Sequence, residues 1–415
     1  MGVGRASHDF ASEVSSPSTN LGAMTGSGYL AALASLLRQC PAVTGKSASE
    51  SLQSPLPATE AEWEQLIAMA VVQKVGPSLA SALLAPPPAS LPPAAAARLR
   101  SIQRAATQRS LLQFGELLRV LNRLRAEGIP MLFFKGQMLA QQAYGNLGLR
   151  SCFDLDLFVH QSDVLRVKAA LAGLGYRPEF SFLPHHEADL LRTECEYTFI
   201  RQDGQVRIDL QWRPRARYFS FPVSSSALWS RAQRVSLQGQ EVDTFALDDL
   251  VLLLVVHGAK HTWHRLEQVC ALAALIHRNP TLDWPGIEQA ARDAGAARML
   301  RVAVQLVVTH FNAPVPANLA ARAAADSEAT ALATEFASRW TAEPRPLSLW
   351  ATLRIHLRMR ERLMDRLRHC FWLAITPTSE DWLRQPLPAH LHWLHYFLRP
   401  WRLLRKYAFT GRRAA

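Results

Sequence analysis

Residues 131–159 read MLFFKGQMLAQQAYGNLGLRSCFDLDLFV. The apolar run Met131 to Phe134 stops at Lys135-Gly136, a helix-like segment follows, and a second apolar run carries Asp154 and Asp156 one residue apart. In an extended strand alternate side chains share a face, so both carboxylates point one way while Leu155, Leu157 and Val159 point into a core. Two like charges held side by side need a cation. Hard oxygen donors with room for waters and phosphates are what Mg²⁺ takes, so the pair reads first as a metal site for nucleotide chemistry, with a solvated strand edge as the plain alternative.

The flanking sequence frames that stretch. Before it, 94–126 shows helical spacing with Leu99, Ile102, Leu111, Leu112, Leu118, Leu121 and Leu124 on the apolar side, ended by Gly128 and Pro130. A helix is expected over 137–144, closed by Gly145, and another over 162–174 with Ser162 as its cap and Gly175 after it. Runs 195–200 and 206–212 flank Gln202-Asp203-Gly204-Gln205, and Asp-Gly between strand-like runs signals a hairpin. Its second strand carries a third acid, Asp209, between Ile208 and Leu210. A sheet that set Asp209 beside Asp154 and Asp156 would complete a carboxylate triad, and sequence alone leaves that pairing open.

Composition sets the wider limits. The chain has 415 residues, 49% of them hydrophobic, enough for a large core and two or three domains. A net charge of +12 suits an anionic partner: a nucleotide, a nucleic acid or a lipid headgroup. Five scattered cysteines without a CxxC pair argue against a disulfide framework or a zinc site and for a reducing cytoplasm. Neither a signal peptide nor a transmembrane segment is expected, and Ala6 stands where a myristoylation pattern needs Ser or Thr.

At the ends, residues 1–58 are rich in Ser, Gly, Thr and Pro, with a short apolar patch around Tyr29 to Leu37, and most of the segment reads as disordered. Residues 59–110 read as an N-terminal helical segment, opened by a capping box between Thr59 and Glu62. The core is expected over 111–215 and a helical domain over 216–415, with helices over 248–264, 266–277, 284–295, 299–311, 318–340 and 348–375. The last stretch, PAHLHWLHYFLRPWRLLRKYAFTGRR, is basic and aromatic together. It could touch a membrane surface or RNA, but the favoured reading is a terminal helix that packs its apolar face and solvates the rest.

The series FFKGQMLA, Arg150, DLDLFV and the lone acid of IDLQW resembles the uncharacterised nucleotidyltransferase family of the polymerase-β-type superfamily. AEWEQLIAMA before the core, HGAKHTWHRLEQV after it, and TPTSEDW with its LP and RP elements extend the resemblance over roughly residues 60–410. It implies an α+β fold: a small mixed sheet with N-terminal helices and a large C-terminal helical domain. It further implies that the turn after the first strand holds a nucleotide's phosphates and that Asp154, Asp156 and Asp209 hold Mg²⁺ or Mn²⁺. Where the superfamily usually has Gly-Ser or Gly-Gly, this chain has Lys135-Gly136 followed by Gln137. Gly136 lets the backbone approach phosphate oxygens, the N–H groups opening the Gln137 helix can bind anions, and Lys135 adds a charge whose expected partner is a triphosphate rather than a protein carboxylate. Arg150 could reach a phosphate or form a structural salt bridge.

His257 and His261 are four apart on one helical face, but Gly258 stands where a zinc-protease motif has Glu, so metal ligation is not favoured. A helix that lines a nucleotide cleft is the sharper reading, with Lys260 or His261 near base or phosphates; the plainer one is a polar face of a packed helix. Trp263 reads as core. The resulting expectation is Mg²⁺-dependent transfer of a nucleoside monophosphate from a nucleoside triphosphate such as ATP to a small-molecule or peptide acceptor, in a bacterial biosynthetic setting. The rival is a non-catalytic nucleotide- or partner-binding module. Nucleic-acid binding has the net charge behind it but no reader motif.

Overall fold

Short, largely apolar runs build a five-stranded mixed sheet from β1 (Met131–Phe133), β2 (Asp154–Val159), β3 (Tyr176–Pro178), β4 (Glu196–Arg201) and β5 (Arg207–Gln211), in the order β1-β2-β5-β4-β3. The computed structural model describes residues 26–45, 56–85, 87–182, 184–341, 346–385, 387–391 and 393–410. Only β2 and β5 run parallel; the other neighbours are antiparallel. The β4–β5 hairpin turns at the predicted Asp-Gly: Gly204 takes φ +72°, and Asp203 Oδ1 accepts the Gln205 N–H at 3.0 Å.

Leu155, Leu157, Val159, Ile208 and Leu210 pack on one face of the sheet under the helix Pro93–Ala126 and the helix Val164–Gly173. Leu132, Phe134 and Phe158 point to the other side, where the Phe245 ring lies 5.1 Å from both phenylalanines and joins them to the helical core. That core is built from Leu247–Lys260, Leu266–Arg278 and Ala297–Phe311, whose Leu, Val and Ala residues are almost continuously buried. The protein is an α+β fold, as the sequence implied.

Several expectations need correction. The apolar patch around Tyr29 to Leu37 lies in a helix, Gly26–Arg38, followed by Pro41–Thr44, and Leu33, Leu36, Leu37 and Cys40 are buried in the main core, so 26–45 is ordered; residues 1–25 and 46–55, where the rest of the disorder expectation falls, lie outside the described residues. The boundary placed at 110/111 falls inside the unbroken helix Pro93–Ala126. Within that helix Leu111 and Leu112 are exposed. Ser162 is not a cap, because a short 3₁₀ turn over Gln161–Asp163 precedes the helix. Ahead of the first helix expected in the 216–415 domain lies a hairpin the sequence reading did not foresee, β6 (Gln233–Leu237) and β7 (Gln240–Thr244), whose Leu237 and Val242 join the sheet's own core.

Two long helices are broken. Asp326 is extended, caps the Ala329 N–H at 3.0 Å and pairs with Arg298 and Arg301, so 318–340 divides into Ala317–Ala325 and Ser327–Ala337. A second break between Leu349–Arg358 and Leu363–Ile375 places Arg360 inward, where it donates to the Phe219 carbonyl at 2.5 Å. Periodicity misses both breaks because the apolar pattern continues through them. The Thr59–Glu62 capping box forms in both directions.

Candidate functional site

The acids meet because of register. Asp154 and Asp156 lie on the sheet face opposite Leu155 and Leu157, and in the parallel β2–β5 ladder Asp156 is the direct partner of Asp209. Side chains directly opposite in a ladder share a face, so the three carboxylates occupy one patch at the start of β2 and β5. Thr198, across the antiparallel ladder on β4, donates from Oγ1 to Asp209 Oδ1 at 2.8 Å, and Arg207 Nε lies 3.4 Å from the same oxygen. Burial, then the charges of Asp154 and Asp156, push the Asp209 carboxyl up to about 7.

Lys135 has a different partner from the one expected. Its Nζ lies 2.5 Å from Asp156 Oδ1, and Gln211 Nε2 donates to that same oxygen at 3.1 Å. Burial works against the ammonium, but the Asp156 carboxylate outweighs it and carries Lys135 above its ordinary value. Gly136 follows with φ +51°, and a side-chain carbon there would sit 3.2 Å from the Asp154 carbonyl, so the turn closes tightly on β2. The helix Gly136–Tyr144 begins at once. Gln137 directs its amide away from the acids, donating to Gln113 Oε1 at 2.6 Å, and what it could offer a phosphate is its backbone N–H.

Arg150 makes the structural bridge of its two readings. Its Nε lies 2.6 Å from Glu267 Oε1 and its guanidinium also reaches the Gly136 carbonyl at 3.4 Å, tying the turn to the helix Leu266–Arg278. Helix Leu247–Lys260 supplies the facing wall. His257 and His261 have ring centroids 4.6 Å apart; burial, followed by the charge of Lys135, holds His257 well below its ordinary pKa, and burial with Lys260 and Arg215 does the same to His261. Both imidazoles are therefore neutral near pH 7, and Lys260 stands on the same wall. Trp263 is core, and Gly258 makes that packing feasible: a side-chain carbon at 258 would lie 2.5 Å from the indole.

Sequence reading missed Arg215, which is buried beside the acids and donates to the carbonyls of Pro214 and Leu253 rather than to a carboxylate. Nothing in WRPRAR distinguished it from the surrounding arginines. Phe153 was missed too: it is half exposed next to Asp154, with Lys74 Nζ 4.6 Å and the Arg109 guanidinium 4.9 Å from its ring centroid.

Among the described residues no three His, Cys, Asp or Glu side chains converge closely enough to hold an ion as they stand. The donor type, three hard carboxylates on adjacent strands, is one that Mg²⁺ takes, but Lys135 already pairs with one of them, Asp156. The described helices include none long and apolar enough to cross a membrane, and all five cysteines are free.

The profile of a family described as an uncharacterised nucleotidyltransferase matches residues 59–312. Among solved structures, the chain is similar to an antigenic nucleotidyltransferase-like protein from Paracoccidioides brasiliensis, with 14% identity, a TM-score of 0.28, and coverage of 51% of this chain and 93% of that one. No curated protein matches.

Proposed function

The chain belongs to the uncharacterised nucleotidyltransferase family, and on that premise we propose that its acid face transfers a nucleoside monophosphate from a triphosphate to a small-molecule or peptide hydroxyl. The observation that carries the reading is the β2–β5 register that makes Asp209 the neighbour of Asp156, with the Gly136 turn closing on Asp154. Asp154, Asp156 and Asp209 would hold Mg²⁺ or Mn²⁺, which when bound neutralises charge on the phosphates and stabilises the entering and leaving oxygens.

The chain's own residues do the rest. Gly136 admits the phosphates to the backbone, and the N–H groups opening the Gly136–Tyr144 helix bind them. Asp209, held by Thr198, takes the proton of the acceptor hydroxyl as its oxygen bonds to the α-phosphorus; the bond to the β-phosphate bridge breaks and pyrophosphate leaves. Lys135 leaves Asp156 for the triphosphate when the nucleotide enters, keeping its charge compensated throughout. His257, Lys260 and His261 line the opposite wall near base or phosphates, and Arg150 fixes the turn through Glu267.

A pyrophosphate-release assay over the four ribonucleoside triphosphates, with Mg²⁺ or Mn²⁺ and hydroxyl-bearing acceptors, tests this reading. Turnover should be lost in Asp209→Asn, and turnover that survives the substitution would count against it. A second reading, a nucleotide-binding module without turnover, is favoured by the Lys135–Asp156 contact, because a protein cation already occupies one of the acids. Calorimetric binding of a triphosphate without pyrophosphate release, in the presence of the true acceptor, would select it.

A further inference from the structure

The helix Leu394–Thr410 is mounted with polar groups inward. Asp381 receives Arg399 and Arg402, Arg399 Nε also donates to the Leu373 carbonyl at 3.1 Å, and His395 is fully buried. Those contacts fix the rotation of the helix, and they leave Trp393, Phe397 and Trp401, spaced by four, facing out; Phe397 is 70% and Trp401 66% exposed. The neighbouring helix Leu363–Ile375 repeats the arrangement, with His369 buried and Leu363, Leu367 and Phe371, also spaced by four, exposed. A surface helix ordinarily buries its apolar stripe. Here two packed helices bury polar side chains and present the stripes.

We propose that this helix pair is a docking surface for an anionic lipid membrane. Charge selects the occupant. Residues 346–410 hold eleven Lys and Arg against four Asp and Glu, an excess of seven within a chain whose total is +12, and Arg362, Arg368 and Arg405 are exposed on these helices. Trp, Phe and Leu beside Arg is the composition of a helix that lies in the interface plane, rings among the acyl chains and guanidinium groups at the phosphates. A second copy would bring like charge against like charge. A single-stranded nucleic acid would stack on the rings, but the Leu363–Leu367 stripe gives it nothing to stack on.

The test is flotation of the full chain with vesicles of phosphatidylcholine and with vesicles containing phosphatidylglycerol. The chain should float with the anionic vesicles and weakly with the neutral ones, and brominated acyl chains should quench tryptophan fluorescence of the wild-type protein. Trp393→Ser, Phe397→Ser and Trp401→Ser together should lower the bound fraction by about tenfold or more at an unchanged melting temperature, because all three rings are exposed. The quenching reads the contact even if the triple variant misfolds. Absence of flotation and quenching in the wild type overturns the proposal, as does equal flotation of a folded triple variant. So does finding that the rings instead support a dimer or RNA binding while vesicles are ignored.

Discussion

Lys135 Nζ lies 2.5 Å from Asp156 Oδ1, with both side chains largely out of solvent, so a lysine proposed for phosphate binding also neutralises a buried carboxylate. Removing either partner leaves the other charge buried and alone, a change that typically costs about 3–5 kcal/mol. Lys135→Met and Asp156→Asn should each lower the urea midpoint of the ligand-free protein, and the double variant should lose less than the sum. A double-mutant cycle measures the coupling, and strict additivity would show that the contact contributes nothing.

Glu194 accepts the Ser379 N–H at 3.2 Å, and burial pushes its carboxyl up from 4.5 to about 7. The folded state therefore holds this proton more tightly than the unfolded chain. Stability from Glu194 is complete below pH about 4.5 and is lost as pH rises through about 7. Glu194→Gln keeps an acceptor for Ser379 without the charge, so it should melt above the wild type at pH 8, with the gap closing toward pH 5. Melting curves across that range that run parallel for the two proteins would refute it.

Gly258 gives up its side chain to Trp263, whose ring occupies the space a β-carbon would need at 2.5 Å. Gly258→Ala should destabilise by about 1–3 kcal/mol through overpacking, despite the better helix propensity of Ala. Chemical denaturation monitored by tryptophan fluorescence gives the value, and a neutral or stabilised variant would mean that the Trp263 loop rearranges freely.

Asp381 caps its own helix through the Thr378 N–H at 2.8 Å and receives both Arg399 and Arg402. Asp381→Ala strands two guanidinium groups at the root of the C-terminal helix, so it should cost about 3–5 kcal/mol. Amide hydrogen exchange should rise first over 394–410 while β2 and β5 stay protected. Uniform exchange across both regions would mean that the helix is not anchored at this residue.

What the sequence determined was local. Alternation put Asp154 and Asp156 on one face because successive strand side chains point oppositely, Asp203-Gly204 set the hairpin because Gly accepts a positive φ, and Thr59 with Glu62 closed a capping box between neighbours in the chain. Partners distant in the chain were decided only by the tertiary structure. The register that sets Asp209 beside Asp156, the choice of Asp156 for Lys135 and Glu267 for Arg150, and the burial of Arg215 each join residues far apart in sequence. The C-terminal helix makes the distinction most plainly. Periodicity shows that Trp393, Phe397 and Trp401 share a face, but which face turns inward depends on a carboxylate elsewhere, Asp381, that pairs with Arg402 and with Arg399, whose burial would otherwise be prohibitive.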